Sequence, residues 1–164
     1  MITEVVDHAS VRDRAAALGC SIPERIALLP INFVSALSRA DFQQRSEAAT
    51  VRKLFRINAI PTDELLSKEE RLPYIQNNAF EWIAPVLFIS ASIWSENATA
   101  VSVALNVLSS YLADYFKGMA GKKTVKLEVV VERKGNYTCK KLTYEGDISG
   151  LPDLAGAIEK IANE

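Results

Sequence analysis

The sequence predicts an α/β fold: a mixed sheet of about four strands with a C-terminal β-hairpin and helices packed on the sheet, an α/β sandwich. Three observations carry that expectation. Arg25–Val34 and Trp82–Ala91 are continuous apolar runs, too short to span a membrane and suited to strands buried on both faces. Ala98–Phe116 is apolar around most of a helix's girth. Thr124–Arg133 alternates strictly enough to be a half-buried strand, and a turn and a second strand follow it. Long helical crossovers then link the first three strands, and the hairpin adds the fourth.

Taken in order, Met1–His8 has no basic segment followed by an apolar one, so no signal peptide is expected. Asp7–Leu18 reads as a first helix, with Val11, Ala15 and Leu18 on one side and Gly19 as its stop. Within Arg25–Val34, Pro30 has no N–H for a ladder and demands a bulge or an edge. Ser46–Arg56 is the next helix, with Ser46 as its cap, ended before Pro61. Residues 61–80 are irregular, punctuated by Pro61, Pro73 and Asn77-Asn78. The charged stretch Asp63–Arg71 reads as a solvated excursion with one or two helical turns, long enough to point weakly to function.

After Trp82–Ala91, Ser95-Glu96-Asn97 breaks the chain and caps the helix Ala98–Phe116. Its stripe is Val101, Ala104, Leu105, Leu108, Leu112, Tyr115 and Phe116, and Gly118 ends it. Placing Gly135-Asn136 as a two-residue turn sets Val129 opposite Leu142, Leu127 opposite Tyr144 and Lys126 opposite Glu145. A one-residue slip would put Val129 opposite Lys141, so the first register wins. A final amphipathic helix carries Leu151, Leu154, Ala155, Ile158 and Ile161, with Pro152 in its first turn.

At 164 residues the chain fits one domain, 1–164, and folding should bury about 69% of its surface. Hydrophobic residues make up 49% and charged residues 24%, which excludes a disordered tail or a coiled coil. Nineteen Lys plus Arg against twenty Asp plus Glu leave a net charge of −1, so no chain-wide field draws nucleic acid or anionic lipid. Cys20 and Cys139 are far apart and in no metal-ligand spacing, and they read as reduced thiols of a cytoplasmic protein.

Few residues carry chemistry. His8 is the single histidine, which leaves no His-based metal site, and no cofactor motif is present. Gly118–Thr124 evokes a phosphate loop, but Phe116 and Lys123 stand where the pattern needs Gly and Ser or Thr. The turn also follows a helix instead of preceding one. Glu69-Glu70 reads as a solvated pair. Asp41 and Asp114 are the stronger acids, Asp114 because it lies in the last apolar turn of a buried helix, with pairing to Lys117 as the plainer reading. Basic residues gather at Arg52-Lys53-Arg56, at Lys117/Lys122/Lys123/Lys126 and at Arg133-Lys134/Lys140-Lys141. The last two groups are expected to share the hairpin end of the sheet, yet no nucleic-acid recognition motif accompanies them.

Residues 82–116 contain only Glu96 and Asp114 as charges, which raises a membrane-associated reading. The Ser-rich face with Asn106 and Asp114 opposes it. Tyr74, Ile75, Phe80 and Trp82 are surplus aromatic and aliphatic groups near a Pro-punctuated loop, expected at a partner surface in a homodimer or larger assembly. The tail Tyr144–Leu154 resembles the strand-to-helix endings of small bacterial accessory domains encoded beside immune effectors, which implies a role accessory to an effector or defence system. The expectation is a protein-interaction or accessory subunit without catalytic activity. The alternative is a small enzyme or ligand binder using Asp114 or Asp41 in a cleft at the carboxyl ends of the strands.

Overall fold

The computed structural model describes residues 1–67, 70, 73–75, 82–118 and 124–164. Its elements are β1 (Ile2–His8), α1 (Val11–Ala17), β2 (Ile26–Leu29), β3 (Gln44–Arg45), α2 (Glu47–Ile57), β4 (Tyr74–Ile75), β5 (Trp82–Ile83), β6 (Val86–Ile89), α3 (Ile93–Glu96), α4 (Ala100–Tyr115), β7 (Thr124–Glu132), β8 (Cys139–Asp147) and α5 (Leu154–Ala162). Among the described residues they form a six-stranded mixed sheet in the order β1-β8-β7-β6-β2, with β5 alongside β7, and a small β3-β4 pair. The α/β architecture expected from the sequence is present, with more strands than expected.

The long runs are where the sheet is buried on both faces. Leu87, Ile89, Val125, Leu127, Val129, Val131, Leu142 and Tyr144 share one core with α2, α4 and α5. Ala27, Leu29, Phe88 and Val130 point the other way, into a second core with Val11 and Ala15 of α1 and with Phe33 and Phe42 of the following loop. α4 lies against α2, α5 and the sheet, which occupies its wide apolar girth. No helix among the described residues is long and apolar enough to cross a membrane.

The hairpin has the predicted register: Val129 faces Leu142, Leu127 faces Tyr144 and Lys126 faces Glu145. Its turn differs. The loop is Lys134–Tyr137, closed by Arg133 N donating to Thr138 O at 2.9 Å, and the left-handed residue is Tyr137 (φ 58), not Gly135. Asn136 Oδ1 holds the exit, accepting from Thr138 N at 3.1 Å and Oγ1 at 2.7 Å. Two-residue and four-residue loops about one centre yield the same pairing, so the register survives the change of turn.

Other boundaries move for physical reasons. Residues 2–8 form a strand, β1, where no strand was expected. β2 stops at Leu29, before Pro30, and the second run breaks at Ala84-Pro85 into β5 and β6. β2 runs antiparallel to β6, not parallel by a crossover, whereas β6 and β7 are parallel across α4. Asp63 N donates to Ile26 O at 2.9 Å, and Thr62 bridges Ile26, so the start of the charged excursion lines the β2 edge. Glu69 and Arg71 of that excursion, and Lys122 and Lys123, lie outside the described residues.

Candidate functional site

β6 and β7 run parallel, so Ser90 and Glu132 arrive together at their carboxyl ends. Glu132 is fully buried there. Arg12, the second residue of α1, donates Nε to Glu132 Oε2 at 2.9 Å and Nη2 to Oε1 at 3.3 Å, and the Ala91 amide donates to Oε1 at 2.9 Å. The same guanidinium forks onto Glu24, Nη1 to Oε1 and Nη2 to Oε2, both at 2.8 Å. It also lies 4.6 Å from the Tyr137 ring centre. Ser92 Oγ donates to Glu24 Oε2 at 3.1 Å, and Ser90 Oγ donates to the Glu24 carbonyl at 2.5 Å. The Arg12 hydrogen bonds hold the Glu24 carboxyl below its ordinary range, and the two acids, led by Glu24, raise the guanidinium. Both Glu132 oxygens are engaged, so the cluster fastens α1 to the sheet.

On the same sheet face a groove of about 360 Å³ opens beneath the 30–35 loop, lined by His8, Leu29, Phe33, Val86, Glu128 and Lys141 among others. His8 Nδ1 is 2.7 Å from the Ala9 carbonyl oxygen. A carbonyl only accepts, so Nδ1 carries the proton and Nε2 keeps a lone pair. Burial, opposed by the Ala9 hydrogen bond and helped by Lys141, pulls the imidazole below its ordinary pKa. Lys141 Nζ lies 3.5 Å from Glu128 Oε2, so those two charges largely neutralise each other. Among the described residues, no three His, Cys, Asp or Glu side chains converge as metal ligands would.

The acids named from the sequence are elsewhere. Asp114 is exposed on α4, and no ion pair joins it to Lys117 among the described residues. Asp41 is exposed in a short 3-10 turn, accepting from Ser38 Oγ at 3.2 Å. The Asp41 carbonyl accepts from Asn32 Nδ2 at 2.8 Å, just past the end of β2, whereas Glu132 stands at the carboxyl ends of β6 and β7. Of the expected contact residues, Trp82 is 5% exposed and packs edge-on against Tyr111, centroids 6.5 Å apart, so it belongs to the core. Ile75 is 41% exposed, Tyr74 pairs with Gln44 through its backbone, and Phe80 lies outside the described residues. The basic groups do not share an end: Lys126 is near the start of β7 and Arg133 just past its finish, about 24 Å away along the strand. Lys126 pairs with Glu145, and Arg133 and Lys140 pair with Glu164.

No family model, curated protein or solved structure matches this chain. β1 pairs only with β8, and its other edge has no strand beside it among the described residues. Every residue from Ile2 to Asp7 is exposed, including apolar Ile2 (41%), Val5 (45%) and Val6 (36%). Met1 and Glu145 exchange both backbone hydrogen bonds, at 2.9 and 3.1 Å. Alternation along β8 then aims Thr143, Lys141 and Cys139 at β1, so their partners Glu4, Val6 and His8 bond inward. Val5 and Asp7 are left with amide and carbonyl groups turned outward. No Pro, Lys or Arg guards this edge. Neither apolar alternation nor burial marks β1, and only its β-branched residues Ile2, Thr3, Val5 and Val6 could have flagged it in the sequence.

Proposed function

We propose that this protein is a non-catalytic interaction or accessory subunit, and that its contact surface is the free edge of β1. The outward amide and carbonyl groups of Val5 and Asp7, on an edge with no Pro, Lys or Arg, carry this reading, because such an edge accepts a further strand by main-chain hydrogen bonding. The state of the reactive groups supports it. Both Glu132 oxygens are committed to Arg12 and the Ala91 amide. Burial pushes the Cys139 thiol up to about 11 and raises that of Cys20 as well, so neither is a thiolate at neutral pH.

Native mass spectrometry of the protein drawn from its own cells tests the reading. Val5→Pro removes an outward N–H without removing a bond to β8, so a partner-bound mass present in the natural protein should vanish in the variant. A partner mass that persists in Val5→Pro moves the contact off this edge. A second reading, a small-ligand binder, rests on the His8 Nε2 lone pair in the groove. It predicts a small adduct retained by Val5→Pro and lost in His8→Phe.

A further inference from the structure

We infer that the strand added to β1 is β1 of a second copy of this chain, antiparallel and centred on Val6, joining the two sheets into one. The inference rests on the interaction reading above and supplies its partner. Three requirements select this pairing. Outward-facing residues must bond to outward-facing residues, and in β1 these are Val5 and Asp7. Acids must not face acids, because like charges directly opposite are destabilising. A pair of identical chains must also be self-complementary about a two-fold axis.

Centring the axis on Asp7 sets that acid against itself. Centring it on Val5 leaves one bonded pair on the axis and no second pair, because Thr3 lies in the bulge between Ile2 and Glu4. Centring it on Val6 satisfies all three requirements. Val5 of each copy bonds with Asp7 of the other, giving two doubly bonded pairs. Val6 meets Val6 of the second copy in a close non-bonded pair, covering a side chain that is 36% exposed in one chain. Glu4 faces His8 of the second copy, so no acid meets an acid. A parallel addition in register would stack Glu4 on Glu4 and Asp7 on Asp7.

Light scattering of the purified chain at micromolar concentration should read twice the 18.0 kDa of one chain. Val6→Lys brings two ammonium groups together on the axis and should return the mass to one chain, with unchanged far-ultraviolet circular dichroism. In a Cys20→Ser background, Val6→Cys should form an intermolecular disulfide on mild oxidation, whereas Val5→Cys, offset by two residues from its own copy, should not. A natural chain that stays monomeric overturns the second-copy assignment, and if β1 then binds another protein in a Val5→Pro-sensitive way, the interaction reading stands without it. A dimer that survives Val6→Lys, or that cross-links through Val5→Cys in place of Val6→Cys, overturns the Val6-centred pairing.

Discussion

Glu132 shows how one buried charge can be stable and still inert. Its carboxylate sits where Arg12 and the Ala91 amide converge, so removing it takes from Arg12 its buried partner, leaving half-exposed Glu24 alone on the guanidinium, and leaves a buried amide unpaired. Breaking a buried pair by deleting one partner costs about 3–5 kcal/mol. Glu132→Ala is therefore expected to lower the urea midpoint by the lower end of that range, since Arg12 keeps Glu24, and Glu132→Leu combined with Arg12→Met to recover part of it, the Ala91 amide staying unpaired. A double variant no better than Glu132→Ala would show that the cluster does more than satisfy its own charges. The sequence places Glu132 on the strand face of Lys126 and Glu128, which reads as solvent-facing. Period-two alternation says which face a residue is on but not what covers that face, and here α1 covers only the end where Glu132 lies.

At the scale of elements, α2 ends in a closed backbone motif and not at the proline that follows. Ala59 N donates to Arg56 O at 3.2 Å and Ile60 N to Phe55 O at 2.9 Å, with Ala59 at φ 55 and Phe55 and Ile60 both in the core. That is a Schellman ending with alanine where glycine is usual. Relief of a left-handed Cβ is worth about 1–2 kcal/mol, against about 0.4–1 kcal/mol of added unfolded-chain entropy. Ala59→Gly should accordingly stabilise the protein by about 0.5–1 kcal/mol in denaturant titration, and a loss of stability would contradict the motif. The elements legible in the sequence were those with a strong period and a buried side: α4, α5 and the β7–β8 hairpin. β1 was not legible, because a strand exposed on both faces writes no hydrophobic pattern into its residues.

Across the whole molecule, the ionisable groups raised by burial give the fold an alkaline limit. Cys139 has a folded value of about 11 against 9.0 for the free thiol, and Tyr111 and Tyr144 are also raised, burial being the first cause for each. For a group whose folded pKa is raised, stability is complete below the unfolded value and declines as pH climbs to the folded one. Thermal midpoints should therefore fall between pH 9 and 11, and Cys139→Ala should flatten the first part of that fall. The same burial predicts that a maleimide at pH 8 modifies Cys139 only in denaturant. A flat profile across that range would deny the thiol its burial. At this scale the fold class was readable, since two both-face-buried runs and a hairpin demand a layered sheet. The candidate site was not, because it depends on which strand takes the edge, and no pairing rule along the chain determines that.

The strand order also says something about how the protein is made. β1 is made well before its partner β8, and β7, which joins β8 to β6, comes only shortly before β8. Until β7 is made only the β2–β6 pair of the six-stranded sheet can form, and that only after Ile89, while Ile2, Val5 and Val6 wait without a partner strand. Closing so long a loop is a slow, non-local step. A growing chain therefore carries β1 as an unpaired, chaperone-attracting segment until β8 is made, and slowing translation should prolong that exposure instead of helping the sheet to form.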